Sequence, residues 1–306
     1  MFAVEDNFSH FEWALKQRDH DAEIERFLTA VVATIKHRKK ILLRGARLCR
    51  AQRGYVLKGD EEAGAEIPDA FMPERMRPLR DKASEGRVNR KDNPCLYLAE
   101  RKDTAMAEVR PWMGAYITLA VFEVVRDCIL VDCSQDKLTT LDLLMREEPP
   151  TNEEREQAVW GDIAKALSTP LTRDDTLDQY WATQCLAERL KVVGYDGLAY
   201  QSALGKGRNV ALFDLDAAHP INGTLFTTRA VEYKFEQANN TYYIPKHYPD
   251  WAKKSGIDPE SDVPYFLRIA AYLPLDLKDN EAHASSVTTE EAACEEGSDG
   301  PPENRL

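Results

Sequence analysis

The chain has 306 residues and a mass of 34.7 kDa, enough for one large domain or two small ones. Forty Lys and Arg against 52 Asp and Glu leave a formal charge of −12, with 43% apolar residues. This is a globular composition able to bury a core; it excludes a fibrous or low-complexity chain and argues against a surface built to grip nucleic-acid phosphates, which needs a net basic face. The longest notable apolar run, Tyr116 to Phe122, is far short of the roughly 20 residues that span a bilayer. Glu5 and Asp6 stand where a secretory signal carries basic residues, so a cytoplasmic location and no membrane association are expected.

In chain order, the first forty residues read as an α-hairpin. Phe8, Phe11, Ala14 and Leu15, then Ile24, Phe27, Leu28, Val31, Val32 and Ile35, recur at helical spacing around a polar turn. Their apolar side needs a surface, in the same chain or in a second copy. A basic run, His37 to Lys40, leads into a short strand, Ile41-Leu42-Leu43. Residues 54–94 are so rich in Gly and Pro that loop is expected throughout. Cys95 to Ala99 reads as a strand and residues 103–110 as a short helix with Asp103 as N-cap. Tyr116 to Arg126 and Ile129 to Asp132 read as paired strands. Helices follow over 153–167 and Thr176 to Val193, the second closed by Gly194. Gly197 to Gln201 and Asn209 to Phe213 read as strands around Gly205-Lys206-Gly207, and Glu232 to Phe235 as one more strand. From Lys278 the chain is acidic and poor in large apolar groups, so disorder is expected. Strands and helices without strict βαβ repetition imply an α+β fold.

Four segments could carry chemistry. Leu42-Leu43-Arg44-Gly45-Ala46-Arg47 sits in a local cationic stretch, suited to phosphate oxygens or simply solvated. Ser84-Glu85-Gly86-Arg87-Val88-Asn89 could set backbone N–H and a guanidinium near an anion, or be a plain turn. Thr104 to Glu108 puts small residues ahead of a carboxylate, so the helix could approach a sheet and turn Glu108 inward; an exposed Glu is the alternative. Tyr195 to Ser202 with Gly205 to Phe213 ends a strand on a hydroxyl, but no Gly-x-Ser-x-Gly elbow surrounds it, and an ordinary hairpin turn is the simpler reading. The six cysteines form no CxxC pair and the six histidines no HxH or HxxxH pair, so no metal or prosthetic group is implied.

Taken together, Leu-x-Arg, Gly-Arg-x-Asn, Leu-Tyr-Leu-Ala with Thr-Ala-x-Ala-Glu-Val, and Gly-Tyr-Asp-Gly with Ser and Asn resemble the RES-domain family, over Leu42 to Asp216. The resemblance implies a compact α+β domain similar to ADP-ribosyltransferase toxins. It implies consumption of NAD⁺ by cleavage of the nicotinamide N-glycosidic bond, by phosphorolysis with inorganic phosphate as co-substrate and ADP-ribose 1″-phosphate as product, or by hydrolysis as an NAD⁺ glycohydrolase. It places catalytic roles on Arg44, Tyr97, Glu108 and Ser202, and substrate-binding roles on Arg47, Gly86, Arg87, Asn89 and Asn209. Leu43 and Val88 stand where relatives often carry Tyr and Trp. An antitoxin or other regulatory protein is an implied partner. ADP-ribosyl transfer to a protein and a catalytically silent nucleotide-binding module are the alternatives. The expected organisation is a helical extension over 1–40, the RES domain over 41–238, a C-terminal extension over 239–277 and an acidic tail over 278–306.

Overall fold

The computed structural model describes residue 2 and residues 7–17, 20–60, 64–79, 84–91, 93–170 and 176–235. The chain divides into two units, Met1–Glu232 and Tyr233–Leu306, and every described helix and strand belongs to the first. The segments 239–277 and 278–306 lie outside the described residues.

The α-hairpin is present. Helix α1, Phe8–Lys16, is capped by Asn7, whose side chain accepts from the His10 N–H at 2.8 Å. Helix α2, Asp21–Thr34, opens with Asp21 and Glu23, which complement the positive end of the helix dipole. Their apolar side is covered by the chain itself. Phe8, Phe11, Phe27, Leu28 and Val31 share one core with Val131, Trp160, Ile163 and Leu186. Trp160 is fully buried and donates from Nε1 to Thr34 Oγ1 at 3.0 Å, tying α2 to the following layer.

Eight strands form one sheet: β1 (Lys39–Leu42), β2 (Arg47–Arg53), β5 (Leu96–Ala99), β6 (Tyr116–Val124), β7 (Cys128–Asp132), β8 (Gly197–Gln201), β9 (Arg208–Leu212) and β10 (Ala218–Thr227), in the order β1-β7-β8-β9-β5-β2-β6-β10. Only β7 and β8 pair in parallel. Such a pair needs a long crossover. It runs through α5 (Thr140–Leu144), α6 (Asn152–Ser168) and α7 (Trp181–Val192). Thr151 and Glu154 form a capping box at the start of α6, and Gly194, at φ +96°, lets the chain leave α7.

The connections require a curled sheet. Five strand spacings, about 24 Å if flat, separate β1 from β2 and β6 from β7. Five residue steps from Leu42 to Arg47 reach only about 18 Å, and four from Val124 to Cys128 about 14 Å. The two short links lie together: the Gly45 N–H donates to the Val124 carbonyl at 2.7 Å, and the Arg44 N–H to Asp127 Oδ1 at 2.8 Å.

Several elements differ from the sequence expectation. Residues 54–94 hold a hairpin, β3 (Val56–Asp60) with β4 (Ala65–Asp69), and a single helical turn, α3 (Pro73–Met76). Strand β2 lies in a stretch that the sequence marks only as basic. Strands β6 and β7 do not pair with each other; β6 lies between β2 and β10, β7 between β1 and β8. Residues 232–235 form no strand, and the last described strand is β10. The expected helix over 103–110 is α4, Lys102–Glu108, with Arg101 rather than Asp103 at its N-cap.

Candidate active site

Helix α4 lies close to the sheet because its inward residues are small or short: Thr104 and Ala105 are buried. Thr104 Oγ1 donates to the Lys206 carbonyl. A Cβ on Gly205 would come within 2.9 Å of the Thr104 backbone, so glycine is what lets the loop after β8 reach α4. That approach fixes Ser202. Its Oγ accepts from the Leu204 and Gly205 N–H groups, each at 3.2 Å, so its proton points to Glu108 Oε1, 2.7 Å away. Asn209, on β9, donates from Nδ2 to the same Oε1 at 2.6 Å. Both donors are buried, with Ser202 6% and Asn209 5% exposed. Two donors therefore aim one carboxylate oxygen, and Oε2 is left without a protein donor among the described residues.

Glu108 lines a cavity of about 450 Å³. Gly86, Arg87 and Tyr97 of β5 also line it, and the turn Gly86 to Asn89 packs against Tyr97. The Val88 N–H donates to the Tyr97 hydroxyl at 3.0 Å, and that hydroxyl donates to Asn89 Oδ1 at 2.8 Å. A Cβ on Gly86 would meet Asn89 Oδ1 at 2.7 Å and the Tyr97 hydroxyl at 2.8 Å, so any larger residue would disrupt this contact. Burial pushes the Tyr97 and Tyr200 phenols well above their ordinary range, which keeps both neutral. Tyr97 is a wall and an anchor here, with its hydroxyl already engaged. Arg87 is held by donation to the Leu167 carbonyl, and its guanidinium lies 5.9 Å from the Tyr200 ring centroid.

The structure thus brings together Tyr97, Glu108, Ser202, Gly86, Arg87, Asn89 and Asn209. It does not bring in Arg44 or Arg47. Arg44 is exposed on the β1–β2 turn, and Arg47 is exposed and faces Glu123 across the β2–β6 pair at 3.6 Å. The arginine of the β2 wall is Arg50, whose Nη1 donates to the Tyr97 carbonyl at 3.2 Å. Burial, then the neighbouring Arg75, holds its pKa down to about 10. Other residues escaped the sequence reading. Tyr180, Tyr200 and Arg110 also line the cavity, and Arg110 has a positive φ of 45°. Gln184 of α7 is buried and donates from Nε2 to Glu85 Oε1, the Gly86 carbonyl and the Asn89 carbonyl at 2.9–3.1 Å, so it holds the turn from behind.

The RES domain matches residues 63–235, more than half of the chain. The chain belongs to the RES-domain family. Strands β1 and β2 precede the matched span yet complete the RES sheet, and β2 supplies Arg50 to the cavity. Among solved structures, the M. tuberculosis MbcT–MbcA toxin–antitoxin complex contains a chain that aligns with 64% of this one and 92% of its own length, at 14% identity and a TM-score of 0.35. No curated protein matches the sequence. Among the described residues no helix is long and apolar enough to cross a membrane.

Proposed function

We propose that this RES domain cleaves the nicotinamide N-glycosidic bond of NAD⁺ and passes the ribosyl carbon to inorganic phosphate. One observation carries the reading: among the described residues the cavity is lined by a single carboxylate, Glu108, aimed by two buried donors and accompanied by Arg50, Arg87 and Arg110. Ordinary glycoside hydrolysis needs a second carboxyl group to protonate the leaving oxygen. Nicotinamide in NAD⁺ is already cationic and departs neutral, so one carboxylate suffices. The cavity volume is that of a small-molecule site.

In this reading Glu108 Oε2 accepts from the ribose 2″-hydroxyl and faces the positive charge that develops at C1″. The C1″–N bond breaks with its electron pair going to nicotinamide. A phosphate oxygen bonds to C1″, yielding nicotinamide and ADP-ribose 1″-phosphate. Arg87 and Arg50 are suited to the diphosphate, and Tyr97, Tyr180 and Tyr200 form aromatic walls for the rings. The test is incubation of the full chain with NAD⁺ with and without phosphate, following nicotinamide and the ribosyl product by mass. Phosphate-dependent release supports the reading. Release without phosphate replaces the acceptor by water, and no release with either refutes the reaction.

A further inference from the structure

A second cavity, of about 270 Å³, lies on the other side of Arg50 and Tyr97, which line both. Its described lining holds three arginines, Arg50, Arg75 and Arg77, and no carboxylate. Arg77 is committed elsewhere, to Asp216 and the Leu215 carbonyl. Among the described residues no carboxylate pairs with Arg50 or Arg75. Arg50 has one acceptor, the Tyr97 carbonyl, and its buried Nε has none. Arg75 lies with its guanidinium 5.3 Å from the Phe71 ring centroid, and its carbonyl accepts from Gln52 Nε2 at 3.0 Å, which secures its backbone against β2. Arg75 is exposed and Arg50 half-buried, so both present unclaimed guanidinium donors to one small cavity. The polar groups that share the wall, Gln52, Ser84 and Asn89, are neutral.

We propose that this second cavity is an oxyanion site, in which Arg50 and Arg75 grip a tetrahedral group of the phosphate class. The guanidinium fork matches such oxygens, and the cavity admits one with attendant water. The ligand is either free inorganic phosphate or a phosphoryl group of a nucleotide. The site goes beyond the proposed reaction and stands without it. Because Arg50 borders both cavities, an oxyanion here also sets the charge balance of the wall that Glu108 faces.

The test titrates the full chain with inorganic phosphate at constant ionic strength and reads heat of binding and melting temperature, with no NAD⁺ present. Wild type shows a saturable site. Arg75→Ala weakens it by about tenfold or more, as expected for loss of a charge-assisted contact. Arg44→Ala, which removes the same charge from a distant exposed turn, leaves it within about twofold. Arg75→Gln, read in parallel, keeps side-chain bulk and repeats the loss if the charge is what matters. ADP-ribose separates the sources. If it competes with phosphate and also weakens with Arg75→Ala, the cavity takes a nucleotide phosphoryl group; if it binds alongside phosphate and ignores the substitution, the ligand is the free oxyanion. A phosphate response that is unsaturable, or equal in the Arg75 and Arg44 variants, overturns the site. Since nicotinamide release is never read, failure of the proposed reaction leaves this result untouched.

Discussion

Replacing Glu108 by Gln separates chemistry from folding. In the native site Ser202 and Asn209 both donate to Oε1, at 2.7 and 2.6 Å. In Glu108→Gln those two donors accept only one orientation of the amide. Its oxygen must take the Oε1 position, which leaves the NH₂ group where Oε2 was. An ionic acceptor at the ribose then becomes a neutral donor. Loss of one preorganised electrostatic group costs about 2.7–4 kcal/mol in the transition state, so turnover should fall by about 10²–10³-fold. The structural cost is smaller. Two charge-assisted bonds become neutral ones, each weaker by roughly 1 kcal/mol, against a total stability of about 5–15 kcal/mol. The variant should therefore stay folded at 25 °C with a melting point lower by several degrees. Glu108→Ala makes the contrast: it strands two buried donors, at about 1–3 kcal/mol each. The assay is nicotinamide release from NAD⁺ beside a thermal melt. Turnover within about threefold of wild type in a folded Glu108→Gln would refute the role given to this carboxylate.

The cavity wall makes further demands. Gly86→Ala drives a methyl group into Asn89 and the Tyr97 hydroxyl and should cost about 1–3 kcal/mol of stability, read by denaturant melts; an unchanged midpoint would contradict the packing. Gln184→Leu removes the donor that holds the Gly86–Asn89 turn from behind. It should destabilise by about 1–3 kcal/mol and raise KM for NAD⁺, with Gln184→Asn a poor rescue because its shorter arm cannot reach. Arg50→Lys loses the planar fork at the cavity and should lower kcat/KM by about tenfold or more, while Arg44→Ala stays within about twofold; the reverse order would return the functional arginine to the β1–β2 turn. The buried phenols of Tyr97 and Tyr200 have pKa values raised above the unfolded value of about 10. The folded state then holds protons the unfolded chain releases, so their contribution is fully present below pH ~10 and is lost as pH rises beyond it. Melting temperature should fall as pH rises from about 10 to about 11, and less steeply in Tyr200→Phe; a flat profile in wild type would refute their burial as neutral phenols.

Much of the local structure was legible because its causes are local. Phe8, Phe11, Phe27 and Leu28 recur with the period of a helix, and a period needs no partner to be seen. Gly194 announced the end of α7, and Gly205 the loop between β8 and β9. The hairpin β3–β4 was hidden because its strands are short and largely exposed, so no burial alternation marks them. The partners of β6 and β7 are hidden in the sequence for a different reason. Their connecting turn is short enough for a hairpin, and only the curl of the sheet sends each strand to another partner.

The candidate site divides along the same line. The sequence alone determined the family and the α+β class, and it singled out Glu108, Ser202 and Asn209 as candidates, since each sits in a distinctive local string. Their convergence on one oxygen was decided by the tertiary structure, because α4, the loop after β8 and strand β9 meet only once the sheet has formed. The arginine was decided there too. Arg44, Arg47 and Arg50 lie within seven residues of one another, and side-chain chemistry does not tell them apart. Strand pairing does: β2 enters the sheet between β5 and β6, which leaves Arg44 on a turn, sets Arg47 against Glu123 and carries Arg50 to the cavity.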